Sequence, residues 1–364
     1  MPARTLGDAS PRTGTQREAL PRVVAIGGGT GLPNVLRGLR PILFGSEDRG
    51  RDITPRDRLV AIVATSDDGG SSGKLRTEFN IIPPGDIRNC LAALSDNHAL
   101  IADIFQYRFG SGDGLNGHTL GNLVLAALAD VMSDFPRAVE IASLVVGAHG
   151  TVLPATSEVV TLVAEFEDGR VLSGETAISR AGGRIARVSL IPERPRFLPA
   201  TCDVIRRADV IVAGPGSLFT SILPPLLVPQ VSEAVRSSPA TRVLVANLMT
   251  EPGETDDYSV LEHVLTIERH LGAQLFDYVI YNTAPIAPHL SAAYRECGSL
   301  PIVTGTFELN ALEKLNIQPI GVPLVSEHPA GKIRHHPERL ASAITALGQG
   351  KLGAWRARAE SGGL

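Results

Sequence analysis

The feature that most constrains the fold is a unit that occurs three times: a short apolar strand that runs directly into a turn of glycine and small polar residues. The first copy comprises a strand at residues 23–26, a turn at 27–33 and a stretch with helical spacing at 34–39. A strand, a glycine turn and a helix in this order form a phosphate cradle, in which the helix N-terminus faces the anion. The ligand-binding candidates in this turn are Gly28, Gly29, Thr30 and Gly31.

This first turn departs from the two common phosphate motifs. A G-x-G-x-x-G pattern that starts at Gly27 requires glycine where Leu32 stands, and a Walker loop requires a lysine after the last glycine. Downstream, Gly73 and Lys74 imitate a Walker ending, but the spacing is one residue short and Leu75 replaces the required Ser or Thr. The sequence therefore predicts a phosphate loop of its own kind rather than P-loop NTPase chemistry.

The second copy ends in paired carboxylates. The apolar run 59–63 leads to Asp67 and Asp68, and then to a loop of small residues that ends in the cations Lys74 and Arg76. Acids at this strand end can contact a ribose or hold a divalent metal such as Mg²⁺. Because neighbouring extended side chains diverge, we expect one of the two acids to face the ligand. The alternative is an ordinary turn, in which Gly, Ser and Asp are common. The candidates are Asp67, Asp68, Ser71, Ser72 and Lys74, with Asp67 and Asp68 also as metal ligands.

Further candidates follow in a predominantly helical stretch. In the segment 83–89, Asp86 is a predicted N-cap, and Arg88 either grips a phosphate or stays solvated. His118 precedes a long apolar helix, where it is either a general acid or a capping group. The candidates in this stretch are Asp86, Arg88, Asn89, His118 and Asn122.

The third copy runs from a strand at 209–213 into the turn 214–221. Its glycines let the backbone approach a ligand, and its hydroxyls can donate to phosphate or sugar oxygens. Alternatively, the segment is a tight strand-to-helix connection with Ser217 as N-cap. Because ligands of open α/β sheets bind beyond the carboxyl ends of the strands, we expect the three turns to lie at one site. The candidates here are Gly214, Gly216, Ser217 and Thr220.

The pattern of strands and helices predicts the α/β class, with a doubly wound, mainly parallel Rossmann-like sheet, a helical segment and an inserted antiparallel β meander. One domain is expected over 21–346, with a disordered tail at 1–20 and a flexible tail at 347–364. The meander is expected at 151–193. The predicted helices lie at 87–94, 101–109, 120–132 and 138–146, the meander strands at 159–166, 171–178 and 185–191, and the later core strands near 209, 243, 278 and 302.

Composition narrows the function classes. The chain has 364 residues, of which 43% are hydrophobic and 20% charged, enough for a large core. A net charge of −4 gives no electrostatic basis for binding nucleic acid or an acidic membrane. No apolar run approaches the roughly 20 residues of a membrane span, and the polar segment 1–16 lacks the apolar core of a secretory signal. Cys90, Cys202 and Cys297 have neither paired nor metal-ligand spacing, which favours a reducing, cytoplasmic location.

Six ordered motifs resemble the gluconeogenesis-factor (YvcK) branch of the CofD-like superfamily. The resemblance covers about residues 21–346, and Ser66 and Lys74 stand where this branch more often has Ala and Arg. The motifs lie at 27–32, 67–76, 83–89, 117–123, 214–221 and 247–255.

The resemblance implies a cytoplasmic regulator that binds UDP-N-acetylglucosamine and links gluconeogenic growth to cell-wall synthesis and cell shape. It places Tyr294 and Arg334 at positions that hold a nucleotide sugar. A Tyr ring can stack on uracil, and an Arg can fork onto a diphosphate. The partners implied are a nucleotide sugar or another nucleotide diphosphate, cell-wall enzymes and further copies of the chain.

The other branch of the superfamily implies an alternative function. Its phospholactate transferases are similar to this chain mainly in the first glycine turn and the acidic strand end. They imply a metal-dependent transferase of a phosphate-bearing group, of the 2-phospho-L-lactate transferase type and using Mg²⁺. The residues leave this choice open, because no nucleophile–base pair can be identified from the sequence.

Overall fold

The structure, a computed structural model, describes residues 20–45, 55–96, 100–328 and 331–360. Within these ranges, the centre of the molecule is a parallel sheet of seven strands in the order β10-β9-β8-β7-β1-β2-β3. The strands in chain order are β1 (Val23–Gly27), β2 (Leu59–Val63), β3 (Thr151–Pro154), β4 (Thr161–Phe166), β5 (Val171–Ser173), β6 (Ile185–Ile191), β7 (Val210–Ala213), β8 (Thr241–Val245), β9 (Tyr278–Asn282), β10 (Gln318–Val322), β11 (Val325–His328) and β12 (Lys332–His335).

Helices connect these strands and cover the sheet. No single helix in the described ranges is long and apolar enough to cross a membrane, although one bent pair, Leu218–Leu226 with Pro229–Ser237, meets that test by length and composition. The helices are α1 (Gly31–Phe44), α2 (Gly70–Phe79), α3 (Gly85–Leu94), α4 (Leu100–Gln106), α5 (Leu120–Met132), α6 (Phe135–Val145), α7 (Glu175–Ala181), α8 (Pro199–Arg206), α9 (Leu223–Leu226), α10 (Pro229–Ser237), α11 (Val260–Leu271), α12 (Pro288–Glu296), α13 (Thr306–Lys314), α14 (Pro337–Gly348) and α15 (Leu352–Glu360).

The middle of the sheet is formed by the most apolar strands. β1 lies between β2 and β7, and Val23 is in register with Leu59 on one side and Val210 on the other. All residues of β1, β2 and β7 are buried, as expected for parallel strands with both faces covered. The chain order reverses between β1 and β7, so the carboxyl ends of these two strands diverge into connections on opposite sides and leave a crevice.

Alternate residues of β1 pack into two separate cores. Ala25 belongs to a cluster that includes Leu36 of α1 and Ile344 of α14. Ile26 belongs to a second cluster, which includes Ile178 of α7 and Ile267 of α11. Helices therefore cover both faces of the sheet, and the predicted doubly wound fold is confirmed.

The predicted meander is present in a shorter form. β4, β5 and β6 form an antiparallel sheet in the order β5-β4-β6 within the described chain, while β3 pairs in parallel with β2 and belongs to the central sheet. The strand expected over 171–178 ends at Ser173, and α7 follows. Gly174, at φ 95°, accounts for the break, because this backbone conformation is incompatible with a continuing strand.

The far edge of the central sheet also differs from the prediction. Instead of a strand near 302, residue 302 lies in an irregular segment whose neighbour Val303 is 75% exposed. β10 forms the edge and pairs in parallel with β9. The apolar residue Ile302 suggested a strand, but its backbone N–H donates to Leu248 O at 3.0 Å, and neither residue belongs to a strand. The periodicity of apolar residues cannot reveal a contact of this kind, because it depends on a segment distant in the chain.

The C-terminal segment differs from the flexible tail expected at 347–364. α14 continues to Gly348, and α15 follows it. Trp355 of α15 is only 2% exposed, and its Nε1–H donates to Ser342 Oγ of α14 at 3.0 Å. Of the other segments assigned from sequence, residues 1–19 of the N-terminal tail and 361–364 of the C-terminal tail lie outside the described residues, as do residues 46–54 between α1 and β2.

Candidate ligand-binding site

A cavity of about 820 Å³ opens at the carboxyl ends of the strands, at the reversal between β1 and β7. Its size is typical of small-molecule sites. The turns after β1 and β7 form one wall, the segment after β8 forms the next, and α12 with β12 forms the opposite side. The predicted site residues that line it are Gly29, Thr30, Gly31, Gly216, Ser217, Thr220, Tyr294 and Arg334.

The first and third glycine turns pack directly against each other. A Cβ atom on Gly31 would lie 2.0 Å from Pro215 O, so only glycine permits this approach. Asn247, at the end of β8, joins the same turn. Its Nδ2 donates to Gly216 O at 2.8 Å, and its Oδ1 accepts from Gly216 N–H at 3.0 Å. Contact between the two backbones and the hydrogen bonds of the Asn247 side chain therefore fix the two turns against each other.

The glycine turn after β1 uses one amide internally. Gly29 N–H donates to Asp86 Oδ2 at 2.7 Å, the position where a phosphate oxygen would bind in a dinucleotide cradle. Desolvation raises the pKa of Asp86 to about 6, and its hydrogen bond from Gly29 opposes this shift only in part. Gly28 is needed beside it, because a Cβ there would lie 2.8 Å from the same carboxylate oxygen. Asp86 therefore supports the turn from α3 and does not line the cavity. The predicted N-cap role of Asp86 is wrong, because Pro84 stands at the N-cap position and Asp86 is the second residue of the helix.

The turn after β7 is tied to the segment after β8 by a carboxylate. Ser217 caps the π-helical turn Leu218–Ile222 and donates its hydroxyl to Glu254 Oε2 at 2.6 Å. Ser179 of α7 donates to the other oxygen, Glu254 Oε1, at 2.9 Å. The N-cap interpretation of Ser217 is confirmed, and Ser217 also lines the cavity, where its role in ligand binding stays a prediction. Glu254 therefore connects α7 to the turn after β7, which forms part of the cavity wall.

Two further glutamates place acid in the cavity lining. Desolvation, followed by repulsion from Asp67 and Asp86, raises the pKa of Glu175 to about 9. Desolvation, followed by repulsion from Glu254, raises the pKa of Glu251 to about 7. Both side chains line the cavity. Near neutral pH this wall therefore carries carboxyl groups that can hold protons and donate as well as accept hydrogen bonds.

Tyr294 and Arg334 are brought together by the β11–β12 hairpin. The backbone N–H of Ile333 donates to Tyr294 Oη at 2.9 Å, which fixes the tyrosine hydroxyl beside β12. Asn34 of α1 donates to His335 O at 2.6 Å and holds the hairpin against the first helix. The two residues that the family resemblance picked out thus lie on one side of the cavity, opposite the turn after β7.

The paired acids after β2 diverge, as expected for neighbouring extended residues. Thr176 of α7 donates its backbone N–H and its hydroxyl to Asp68 Oδ1, at 2.8 and 2.7 Å. Asp68 therefore anchors the inserted helix. Asp67 accepts from Gly69 N–H at 2.8 Å, and desolvation raises its pKa.

The acids also bear on the expected Mg²⁺. No group of three or more His, Cys, Asp or Glu side chains in the described ranges could hold a metal. Mg²⁺ is commonly held by one or two carboxylates together with ligand phosphates. Of the pair, Asp67 fits such a role, whereas Asp68 is committed to α7.

A separate polar network contains several of the remaining candidates. Arg88 donates to Thr119, to Asn122 Oδ1 at 3.2 Å and to Asn89 Oδ1 at 2.6 Å. Desolvation, with repulsion from Arg108, lowers the pKa of Arg88 to about 10. Asn122 also donates to Ser71 Oγ at 3.1 Å, and that hydroxyl lies 3.0 Å from His118 Nδ1. The candidates that do not line the cavity are Gly28, Asp67, Asp68, Ser71, Ser72, Lys74, Asp86, Arg88, Asn89, His118, Asn122 and Gly214.

These candidates have different surroundings. Lys74 is exposed on α2, and Ser72 is buried beside Asp67. Arg88 is buried within the network rather than solvated. Asn89 lines a smaller recess next to the cavity.

Comparison with known proteins assigns the chain to a family. The sequence profile described as 2-phospho-L-lactate transferase CofD matches residues 23–325, most of the chain. This chain belongs to the CofD family. It is 45% identical to the gluconeogenesis factor of Bacillus subtilis over 327 residues, which cover 90% of this chain and 98% of that protein. The gluconeogenesis factor of Halalkalibacterium halodurans is 40% identical over 326 residues, 88% of this chain and 95% of that protein.

A solved structure gives the same result for the fold. The crystal structure of a UPF0052 family member from Bacillus halodurans superposes with a TM-score of 0.81 at 40% identity, covering 88% of this chain and 98% of that chain. The resemblance to the gluconeogenesis-factor branch of the CofD family is therefore confirmed.

Several residues in or beside the cavity of this CofD family member were missed at the sequence level. Asn247, Glu251 and Glu175 line the cavity, Glu254 is hydrogen-bonded to Ser217 of its wall, and Arg37 lines the smaller recess. Asn247 and Glu254 stood in motifs quoted for the resemblance, and that was the available signal. Glu251 lies between the two parts, 247–250 and 253–255, on which the last motif of the resemblance rests. Glu175 gave no signal, because residues 171–178 were assigned to a strand rather than to the start of a helix. Arg37 lies three residues after Asn34 on α1 and was taken only as part of a helical pattern.

Proposed function

We propose that this chain binds a nucleotide sugar of the UDP-N-acetylglucosamine type and acts as a regulator that links gluconeogenic growth to cell-wall synthesis and cell shape. The observation that carries this proposal is the cavity at the β1–β7 reversal, bounded by two interlocked glycine turns and, opposite them, by Tyr294 and Arg334. The name of the 45% identical relative, gluconeogenesis factor, supports the regulatory part.

The lining chemistry suits the parts of such a ligand. The Tyr294 ring offers a face on which a base can stack. The Arg334 side chain makes no hydrogen bond or ion pair to any of the described residues, so its guanidinium is available to a diphosphate. Ser217, Glu175 and Glu251 offer hydroxyl and carboxyl groups to sugar hydroxyls.

Calorimetric titration with UDP-N-acetylglucosamine tests the binding proposal. We expect binding to the intact chain, and we expect ligand at about 100 times its dissociation constant to add roughly 2.7 kcal/mol to the free energy of unfolding. Arg334→Ala should weaken binding by about tenfold to a hundredfold, since a hydrogen bond to a charged group contributes roughly 1.5–3 kcal/mol. Arg295→Ala is the matched control, because Arg295 is exposed on α12 and does not line the cavity.

Two outcomes would contradict the proposal. One is equal stabilisation by adenine and guanine nucleotides while UDP-sugars have no effect. The other is wild-type affinity in the Arg334→Ala variant. The regulatory part is tested in a strain that lacks this gene: the intact chain should restore growth on gluconeogenic carbon sources, and a variant that cannot bind the ligand should not.

A second candidate function is supported by the carboxyl groups of the cavity. Glu175 and Glu251 line the cavity, and desolvation raises their pKa values to about 9 and about 7. Such groups can hold or move a proton in a transfer reaction. A transferase of a phosphate-bearing group would use them together with Mg²⁺ at Asp67 and the ligand phosphates. Product analysis of the chain incubated with a nucleotide sugar, with Mg²⁺ or with chelator, distinguishes this candidate from binding alone.

A further inference from the structure

A second concave site adjoins the cavity. This recess, of about 240 Å³, lies between α1, the start of α3 and the β11–β12 hairpin. It shares Thr30, Asn34 and Arg334 with the cavity, and Arg37 and Asn89 belong to the recess alone. A ligand in the cavity can therefore extend into the recess without leaving the protein surface.

The recess holds two cations without a counter-charge. Neither the Arg37 nor the Arg334 side chain forms an ion pair or a hydrogen bond with any residue in the described ranges. Desolvation, together with repulsion from Arg334, lowers the pKa of Arg37. Two guanidinium groups that face one recess repel each other, and an anion between them removes this cost.

Asn89 adds neutral donors to the same recess. Its Oδ1 accepts from Arg88 at 2.6 Å, so the amide oxygen is occupied and the Nδ2 hydrogens remain available. Thr30 adds a hydroxyl at the shared rim. The donors of the recess thus match the several oxygens of a phosphoryl group.

The usual alternative position for a phosphate is unfavourable here. The Gly29 N–H of the first turn is already hydrogen-bonded to Asp86. The cavity wall next to it carries Glu175 and Glu251, which repel an anion whenever they are ionised. Arg37 therefore lies in the recess alone and Arg334 in both recess and cavity, whereas the carboxyl groups of Glu175 and Glu251 line only the cavity, together with Lys332.

We propose that the recess between Arg37 and Arg334 is the subsite for a phosphoryl group of the ligand, and that the carboxyl groups of the cavity take its hydroxyl-rich part. The identity of the ligand rests on the proposed function, whereas the anion subsite does not. This arrangement assigns binding roles to Arg37 and Asn89 and moves the phosphate away from the glycine turn.

The test compares Arg37→Gln, Arg37→Lys and the control Arg295→Gln by calorimetric titration. The probes are UDP-N-acetylglucosamine, inorganic pyrophosphate and uridine. Arg37→Gln should weaken binding of the two phosphorylated probes by about tenfold or more, as expected for loss of a charge-assisted hydrogen bond. Uridine binding should not change, and Arg37→Lys should recover part of the affinity. Arg37 is exposed enough that its substitution should leave the melting temperature unchanged, which shows that the variant is folded.

The outcomes separate this proposal from the proposed function. If the nucleotide sugar does not bind but pyrophosphate binds in an Arg37-dependent way, the subsite stands and the ligand assignment fails. If both phosphorylated probes bind Arg37→Gln as tightly as the intact chain, the subsite is overturned even where the nucleotide sugar binds. Pyrophosphate that binds without competing with the nucleotide sugar also overturns it, because the anion site would then be separate from the ligand.

Discussion

At the scale of single residues, the two glycine turns depend on missing side chains. Gly31 allows the first turn to touch the backbone of Pro215, and a Cβ at this position would lie 2.0 Å from the carbonyl oxygen and 2.6 Å from the carbonyl carbon. Backbone atoms cannot move aside as a flexible side chain can. The two turns can therefore pack this closely only because Gly31 has a hydrogen atom in place of a Cβ atom.

Gly31→Ala is predicted to force the two turns apart. We expect a loss of roughly 1–3 kcal/mol in the free energy of unfolding, as for other overpacked sites, and weaker binding of the nucleotide sugar. Denaturant unfolding and calorimetric titration measure the two effects. Gly110→Ala is the control, because Gly110 has open space around its Cβ position and lies outside the cavity. Equal behaviour of the two variants would show that the contact between the turns does not matter.

At the scale of elements, α7 connects the inserted antiparallel sheet to the ligand site. Its first residue, Glu175, lines the cavity, and its second, Thr176, is held by Asp68 through two hydrogen bonds. Ser179, one turn later, reaches Glu254. The strand end after β2 and the segment after β8 thus fix α7 from two sides, and the insertion supplies one wall of the site.

Asp68→Ala is predicted to release the start of α7. The loss of a carboxylate that satisfies a first-turn N–H should cost about 1 kcal/mol in the free energy of unfolding. Because Glu175 then loses its fixed position, we also expect weaker ligand binding. Asp134→Ala is the matched control, since Asp134 caps α6 by accepting from Arg137 N–H at 3.1 Å and does not line the cavity. The prediction fails if both variants bind the ligand equally well.

At the scale of the whole molecule, buried titratable groups make stability depend on pH in two opposite ways. Asp86, Glu251 and Glu175 keep their protons to about pH 6, 7 and 9 in the folded protein, whereas unfolded carboxyls lose theirs near about pH 4. The folded state binds more protons over this range, so these groups lower the free energy of unfolding as the pH rises.

The buried histidine acts in the opposite direction. Desolvation lowers the pKa of His335 to about 4, while an unfolded histidine takes up a proton near about pH 6.5. The contribution of His335 is therefore lost as the pH falls from about 6.5 to 4. Because three carboxyl groups oppose one histidine between about pH 4 and 6.5, we expect these four groups together to stabilise the ligand-free protein more at acidic than at neutral pH.

Glu175→Gln is predicted to flatten the alkaline side of this profile. Between pH 6.5 and 9 the variant should lose less stability than the intact chain, by an amount on the order of 1 kcal/mol after allowance for solvent screening. Thermal unfolding at a series of pH values measures the difference. Glu296→Gln, at an exposed position of α12, is the control. Parallel pH profiles of both variants and the intact chain would show that Glu175 ionises normally.

Much of the fold and part of the site followed from the sequence, because local patterns report local chemistry. Apolar runs identified the central strands β1, β2 and β7. The glycine-rich sequences after β1 and β7 predicted the two turns that line the cavity. The spacing of apolar residues found α5 over its full length, Leu120–Met132. The resemblance, rather than any spacing, supplied Tyr294 and Arg334.

The remaining features depend on contacts between segments that are distant in the chain. The two hydrogen bonds that Asp68 Oδ1 accepts from Thr176, 108 residues away, could not be predicted from the residues around Asp68. The segment expected to be a flexible C-terminal tail contains the helix α15, because Trp355 is buried and hydrogen-bonded to Ser342 of α14. The sequence by itself determined which strands and turns form, since strand propensity and glycine conformation are properties of a few neighbouring residues. Only the tertiary structure decided which polar groups line the cavity, because burial and hydrogen-bond partners arise when distant segments pack together.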